Sequence, residues 1–223
     1  MSLFGAFWGL GHDNDPNMVG IANFGNPHGL FHNLGFKPKG VLHIGAWDAW
    51  EAKQYATFCG DNCVWMEAHP NSFSRFRSEI EKYGQKIYNY AAWNVDDLVM
   101  NFYSPPSNQD SSSLIEQRGD VIKTNTITVT TLFERESLDF TNYDFLNIDT
   151  EGAELQVLEG IGDNIKHFEF IVIEVSDLGS DFDKAVNKSL EDKGFIWVRD
   201  SQHHISSVNG KSFCDKLYKK INQ

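Results

Sequence analysis

The chain has 223 residues, 41% of them hydrophobic, with six Trp, seven Tyr and seventeen Phe. That bulk fills one substantial core and fits one domain with additions better than two. A formal charge of -12 disfavours long nucleic acid as a partner: the only locally basic stretch is "KLYKK" at 216–220, far short of a phosphate-binding face.

Residues 1–36 hold seven of the eighteen glycines, interspersed with Asn, His and Phe and without helical or strand period. They read as an N-terminal arm or lid packing through its aromatics, with a dimer contact through the arm left open. "LFGAFWGL" at 3–10 has no basic flank, since the first Lys or Arg is Lys37, and it is too short to span a bilayer. From Lys37 to the C-terminus the pattern reads as a second unit. "GVLHIGA" (40–46) is an apolar strand, and "AWEAKQYATFC" (49–59) has a helical period, with Asp48 and Glu51 spaced as a capping box. "CVWMEA" (63–68) is the next strand. Cys59, Cys63 and Cys214 make no disulfide framework and no metal set, so they read as buried thiols in a reducing, cytoplasmic setting.

"SFSRFRSEIEKYG" (72–84) reads as an amphipathic helix closed by glycine, and "KIYNYAAW" (86–93) as a third strand. "LVMNFYS" (98–104) and "NTITVTTL" (125–132) read as strands around a loop rich in Pro, Ser and Asn. The alternation then resumes: strand 143–149, helix 153–161, strand 168–176, helix 182–194, strand 194–200, and a last strand within 212–220. Alternation of this kind predicts an α/β fold, a mostly parallel sheet with helices on both faces.

In such a sheet, ligands bind at the carboxyl ends of the strands. The first strand ends in Gly45-Ala46, where a ligand can approach the backbone. The second ends in Glu67, 22 residues after Gly45, where nucleoside-binding folds place an acid for ribose hydroxyls. The third ends in "AAW", the fourth in Asp149 and the fifth in Glu174. Asp149, closing an apolar run, reads as functional; Glu154 reads as a first-turn acid serving its own helix, and Glu151 lies between the two. "GAWDAW" (45–50) lacks the three-glycine turn of a dinucleotide site. A nucleoside without phosphates, such as S-adenosylmethionine, suits it better. His69, His203 and His204 read as surface residues, and no spacing defines a metal site.

"VLHIGAWDAWEAKQY", "VWMEAHPNSF", "YNYAAWN", "SSSL", "ITVTTL" and above all "YDFLNIDTEGAELQVLEG" with "IVIEV" resemble, in order and spacing, the FkbM family of S-adenosylmethionine-dependent methyltransferases. The resemblance covers roughly residues 40–198 and leaves out the arm. It implies a Rossmann-like class I methyltransferase with a seven-stranded sheet whose last strand is antiparallel, and O-methylation of a sugar hydroxyl in a glycan or glycosylated natural product. By position it implies His43, Gly45, Ala46, Glu67, Ala68, Ala91, Ala92, Ser113 and Asp149 around the cofactor, with Ser112 beside them. Asp149 and Glu151 would stand nearest the transferable methyl. The family often has an acid where His43 stands and a glycine where Ala49 stands. As the base that takes the hydroxyl's proton, Asp149 is the first choice, then Glu151 or Glu174, with His69 last. A divalent cation at 149/151/174 remains open, although the spacing does not demand one. The alternatives are a small-molecule or macrolide O-methyltransferase, and a non-catalytic module partnering a glycosyltransferase.

Overall fold

The computed structural model of the protein describes residues 27–104, 112–115, 117, 119–205, 210 and 212–221. Residues 1–26 of the arm, and 105–111 of the Pro/Ser loop, lie outside them.

Four short apolar strands make the centre: β1 (Val41–Ile44), β2 (Cys63–Met66), β7 (Phe145–Ile148) and β8 (Phe170–Ser176). They run parallel, β2 beside β1, β1 beside β7 and β7 beside β8. β3 (Lys86–Tyr88) extends the sheet beyond β2, and β11 (Ser212–Lys220) joins antiparallel to β8. The outer side of β11 is shared by β9 (Phe195–Asp200) and β10 (His204–Ile205). Among the described residues the sheet therefore has eight strands, the seven expected and the two-residue β10, with the last strand antiparallel as expected.

Every residue of β1 and β2 is buried, because helices cover both faces and a parallel sheet has no solvated side. One face carries Leu42, Ile44, Val64, Met66, Leu146, Ile148, Ile171 and Ile173 into a core with α4 (Val129–Arg135), α5 (Glu154–Ile161) and α6 (Asp181–Asp192). The other carries Val41, Cys63, Trp65, Phe145, Phe170, Val172 and Leu217. It packs under α1 (Pro27–Leu34), α2 (Ala52–Cys59) and α3 (Pro70–Glu81).

Four local readings need correction. The single strand expected over 86–93 is broken: Lys86–Tyr88 joins the main sheet, whereas Ala91–Ala92 pairs, among the described residues, in a separate three-stranded sheet. No period was expected before residue 37, yet α1 is a helix, and its Phe31 is fully buried. The Phe31 ring meets Phe145 edge-on at 4.8 Å and Phe58 at 5.0 Å. Its truncation in Phe31→Ala is expected to cost about 3–5 kcal/mol of stability, read as a lowered denaturant midpoint. A loss below about 1 kcal/mol would show α1 to be peripheral. The segment 125–132 is a strand only in part: β6 runs Asp120–Ile127, antiparallel to β5 (Val99–Ser104) and parallel to the two-residue β4 (Ala91–Ala92). At Thr128 the side chain accepts the Thr131 N–H at 3.0 Å and starts α4, an N-cap overriding β-branched propensity. The expected Asp48–Glu51 box is also not formed: Glu51 stands at the start of α2 without a capping hydrogen bond.

Among the described residues no helix is long and apolar enough to cross a membrane.

Candidate functional site

The strand register sets the site. Ile148 pairs with Ile173, so the next residues, Asp149 and Glu174, stand abreast, and Glu174 pairs with Asp215 on β11. Three neighbouring strands thus place acids in one row at the carboxyl edge. Carboxylate oxygens of Asp149, Glu151 and Glu174 lie within 4.8 Å of one another. Like charges directly opposite in a sheet repel, so this row cannot be fully ionised at low cost. Asp149 opens onto a cleft, yet protein atoms crowd it. Desolvation and the Asp215 charge push its pKa up to about 7, against a hydrogen bond from Glu174. Desolvation and then the charge of Asp149 hold Glu174 well above the carboxylate range. Glu174 therefore keeps its proton and donates it toward Asp149. Burial lifts Asp215 to about 6, and Glu51, reaching the row from α2, to about 8.

These shifts predict an unusual stability profile. Groups whose folded pKa lies above the unfolded value bind extra protons in the native state, so stability falls as pH rises through the window. For Glu51, Asp149 and Asp215 that window runs from about pH 4 to the folded values of about 8, 7 and 6. The unliganded chain should have a higher Tm at pH 5.5 than at pH 8, by roughly a few degrees. Glu174→Gln, which keeps a donor and removes an ionisable neighbour, should narrow that gap. A Tm that rises steadily toward pH 8 would contradict it.

The cleft encloses about 620 Å³, its open mouth included, and is lined from both sides of the switch point by Gly45, Trp47, Glu67, Ala68, Ala91, Ala92, Asp149 and Glu151. Glu67 is buried, and its two oxygens accept backbone N–H groups, Oε2 from Trp47 at 2.7 Å and Oε1 from His69 at 2.6 Å. Burial raises its pKa and those bonds oppose the rise. Each carboxylate oxygen keeps a lone pair for a further donor. Gly45 has φ +95°, and a Cβ there would collide with the Asp149 carbonyl oxygen. The glycine is required by the approach of two strand ends as much as by any ligand. Ala49 holds φ 54° where a glycine would rest without strain, so the loop keeps its shape at a cost of about 1–2 kcal/mol.

Not every expected residue reaches the cleft wall. His43 lies beneath it, stacked on Trp65 at 4.3 Å, with Nδ1 accepting from the Tyr55 hydroxyl and Nε2 donating to the Gly45 carbonyl, both at 3.2 Å. Burial lowers its pKa to about 3, so it is a neutral strut. Ala46 is buried behind the wall. Ser113 is buried and donates to the Glu151 carbonyl at 2.7 Å, pinning the β5–β6 connection onto the loop after β7. His69, read as a surface residue, does line the cleft but is buried: Nδ1 accepts from Asn71 and Ser72 to cap α3, so Nε2 carries the proton and donates to Ser104 Oγ at 3.0 Å. With its basic nitrogen engaged, His69 is a poor general base. Glu154 serves its own loop, Oε1 accepting from Thr150 N, Thr150 Oγ1 and Gly152 N. Sequence reasoning missed Glu51, which looked like a cap, and Asp215, which it did not single out; the register of β11 against β8 brings Asp215 in, and the fold of the loop before α2 brings in Glu51.

The sequence model of the methyltransferase FkbM domain matches residues 32–197. No curated protein matches the sequence significantly. Among solved structures, PH1948 of Pyrococcus horikoshii, provisionally assigned as an RNA methyltransferase, aligns over 95% of this chain and 90% of its own at 10% identity, TM-score 0.51. The N-methyltransferase NodS of Bradyrhizobium japonicum aligns over 82% and 86% at 9% identity, TM-score 0.47. An S-adenosylmethionine-dependent methyltransferase of Aquifex aeolicus aligns over 92% and 94% at 11% identity, TM-score 0.43. The structural likeness carries the fold alone, whereas the family match spans most of the sequence. The chain belongs to the FkbM methyltransferase family, whose members depend on S-adenosylmethionine.

Proposed function

We propose that the protein transfers a methyl group to a hydroxyl oxygen of a sugar in a glycan or glycoconjugate, with Asp149 as the base. The residues of the cleft fit the cofactor that the family implies. Glu67 has acceptor capacity for two ribose hydroxyls. Ala91 and Ala92, with Met66 and Phe102, offer a narrow apolar slot for a purine. The acids of the floor favour a sulfonium cation.

Bound there, S-adenosylmethionine would supply an electrophilic methyl, its sulfur–methyl bond breaking to leave the neutral thioether S-adenosylhomocysteine, and the chain's own groups do the rest. Asp149 accepts the acceptor's proton as the new C–O bond forms. Its pKa of about 7 suits a base working near neutrality. Glu174, keeping its proton, holds the Asp149 carboxyl in place. Glu151 and Ser112 line the acceptor side. The single observation that carries the reading is Asp149, a cleft-facing acid tuned by a neighbouring carboxylic acid. The choice of a sugar hydroxyl rests on the family resemblance and on the acidic, non-nucleic-acid character of the chain.

The test incubates the protein with methyl-labelled S-adenosylmethionine and a panel of glycans and glycolipids. Label in a base-stable methyl ether supports the proposal; label only in amines or RNA would replace it. The oxygens of Asp149, Glu151 and Glu174 are also close enough to hold a divalent cation. Base catalysis by Asp149 predicts that EDTA leaves the rate unchanged. The non-catalytic alternative gains nothing from Ala49, which preserves the loop's left-handed geometry.

A further inference from the structure

A second cluster of ligand-type side chains lies at the far edge of the sheet, where β11 exchanges β9 for β10 as its outer partner. Asp200 ends β9, His203 sits in the turn that follows, and Cys214 lies on β11. One carboxylate oxygen, one ring nitrogen and the sulfur lie within 4.8 Å of one another.

We propose that Asp200, His203 and Cys214 form a binding site for a zinc-class divalent cation that clasps the β9–β10 turn to β11. The spacing suits tetrahedral coordination. Ligand bonds of about 2.0–2.1 Å place neighbouring N and O donors about 3.3–3.4 Å apart. His203 Nε2 and Asp200 Oδ2 stand 3.2 Å apart. An exposed Asp–His pair by itself contributes little and has no use for a thiol. Here the thiol lies directly underneath, on a Cys that is buried.

The surroundings are also those of a metal site. Trp197 Nε1 donates to the other oxygen of Asp200 at 2.7 Å, the kind of outer hydrogen bond that orients a ligating carboxylate. The turn is tied to the strand next to Cys214. Ser201 N donates to the Asp215 carbonyl at 2.8 Å, and Asp215 N donates to Ser201 Oγ at 2.9 Å. The ligands are thus held close before any cation arrives. Three protein ligands leave a fourth position to water. Cys214 and Asp215 point to opposite faces of β11, so this site is separate from the acid row.

Cobalt substitution distinguishes this site from the acid row and from the Cys59–Cys63 pair, whose sulfurs lie 3.3 Å apart. The full chain, stripped with a chelator, is titrated with Co²⁺ and then Zn²⁺. One equivalent of Co²⁺ should give a thiolate charge-transfer band in the near ultraviolet, displaced by Zn²⁺, and Zn²⁺ should raise Tm. The band should vanish in Cys214→Ser and persist in Cys59→Ser/Cys63→Ser. His203→Ala, an exposed substitution that leaves the core intact, should weaken uptake at least about tenfold. No sulfur band in the wild type would overturn the proposal, as would a band that follows Cys59 and Cys63 or one indifferent to His203→Ala.

Discussion

Glu67→Ala is expected to abolish S-adenosylhomocysteine binding in the concentration range where the wild type saturates. The proposed ribose contact makes two charge-assisted hydrogen bonds, about 1.5–3 kcal/mol each, so its loss should weaken binding by about two to four orders of magnitude. The carboxylate also receives the Trp47 and His69 N–H groups, and its removal leaves two backbone donors without partners. A Tm loss will therefore accompany the binding loss. Glu67→Gln separates the two effects. It keeps the size of the side chain and one acceptor oxygen, so the variant should fold yet bind far more weakly. A well-folded Glu67→Gln variant with wild-type affinity would place the ribose elsewhere.

Asp149→Asn should behave in the opposite way. Methyl transfer should fall about 10²–10⁴-fold, the range of a lost general base, while affinity for S-adenosylhomocysteine changes only a few-fold. In the wild type, kcat should rise with pH through an apparent value near 7, because Asp149 must be deprotonated to act and its pKa is pushed up to about 7. That value belongs to the coupled row and not to one residue. Glu174→Gln replaces an already neutral carboxylic acid and keeps the donor to Asp149, so this limb should stay near its wild-type position and turnover should persist. An Asp149→Asn variant that turns over normally would move the base to Glu151 or to a group of the acceptor itself.

How much of this was legible in the sequence depends on the range of each signal. β1, β2, β7 and β8 were readable because strands buried on both faces appear as unbroken apolar runs. Asp149 and Glu67 were readable because an acid ending such a run needs a reason. α4 was not, since seven residues are too few to show a helical period and Val129, Thr130 and Thr131 favour strands; the cap at Thr128 decided it. α1 was hidden by Gly, Asn and His, and it forms because Phe31 is anchored on Phe145, a contact made across the fold. Asp215 stands in a lysine-rich strand, and nothing in the sequence singled it out. It enters the site only because β11 pairs with β8 in the register that sets it opposite Glu174. His43 illustrates the reverse error: position along the chain pointed to the cofactor, while packing against Trp65 and Tyr55 puts it below the wall.

Calorimetric titration of the wild-type chain with S-adenosylhomocysteine is the most direct test of the cleft. One site per chain, with a dissociation constant on the order of micromolar, about -8 kcal/mol, is expected, and the same site should be lost in Glu67→Gln. A folded wild-type chain that takes up none would contradict both the cofactor site and the methyl transfer built upon it.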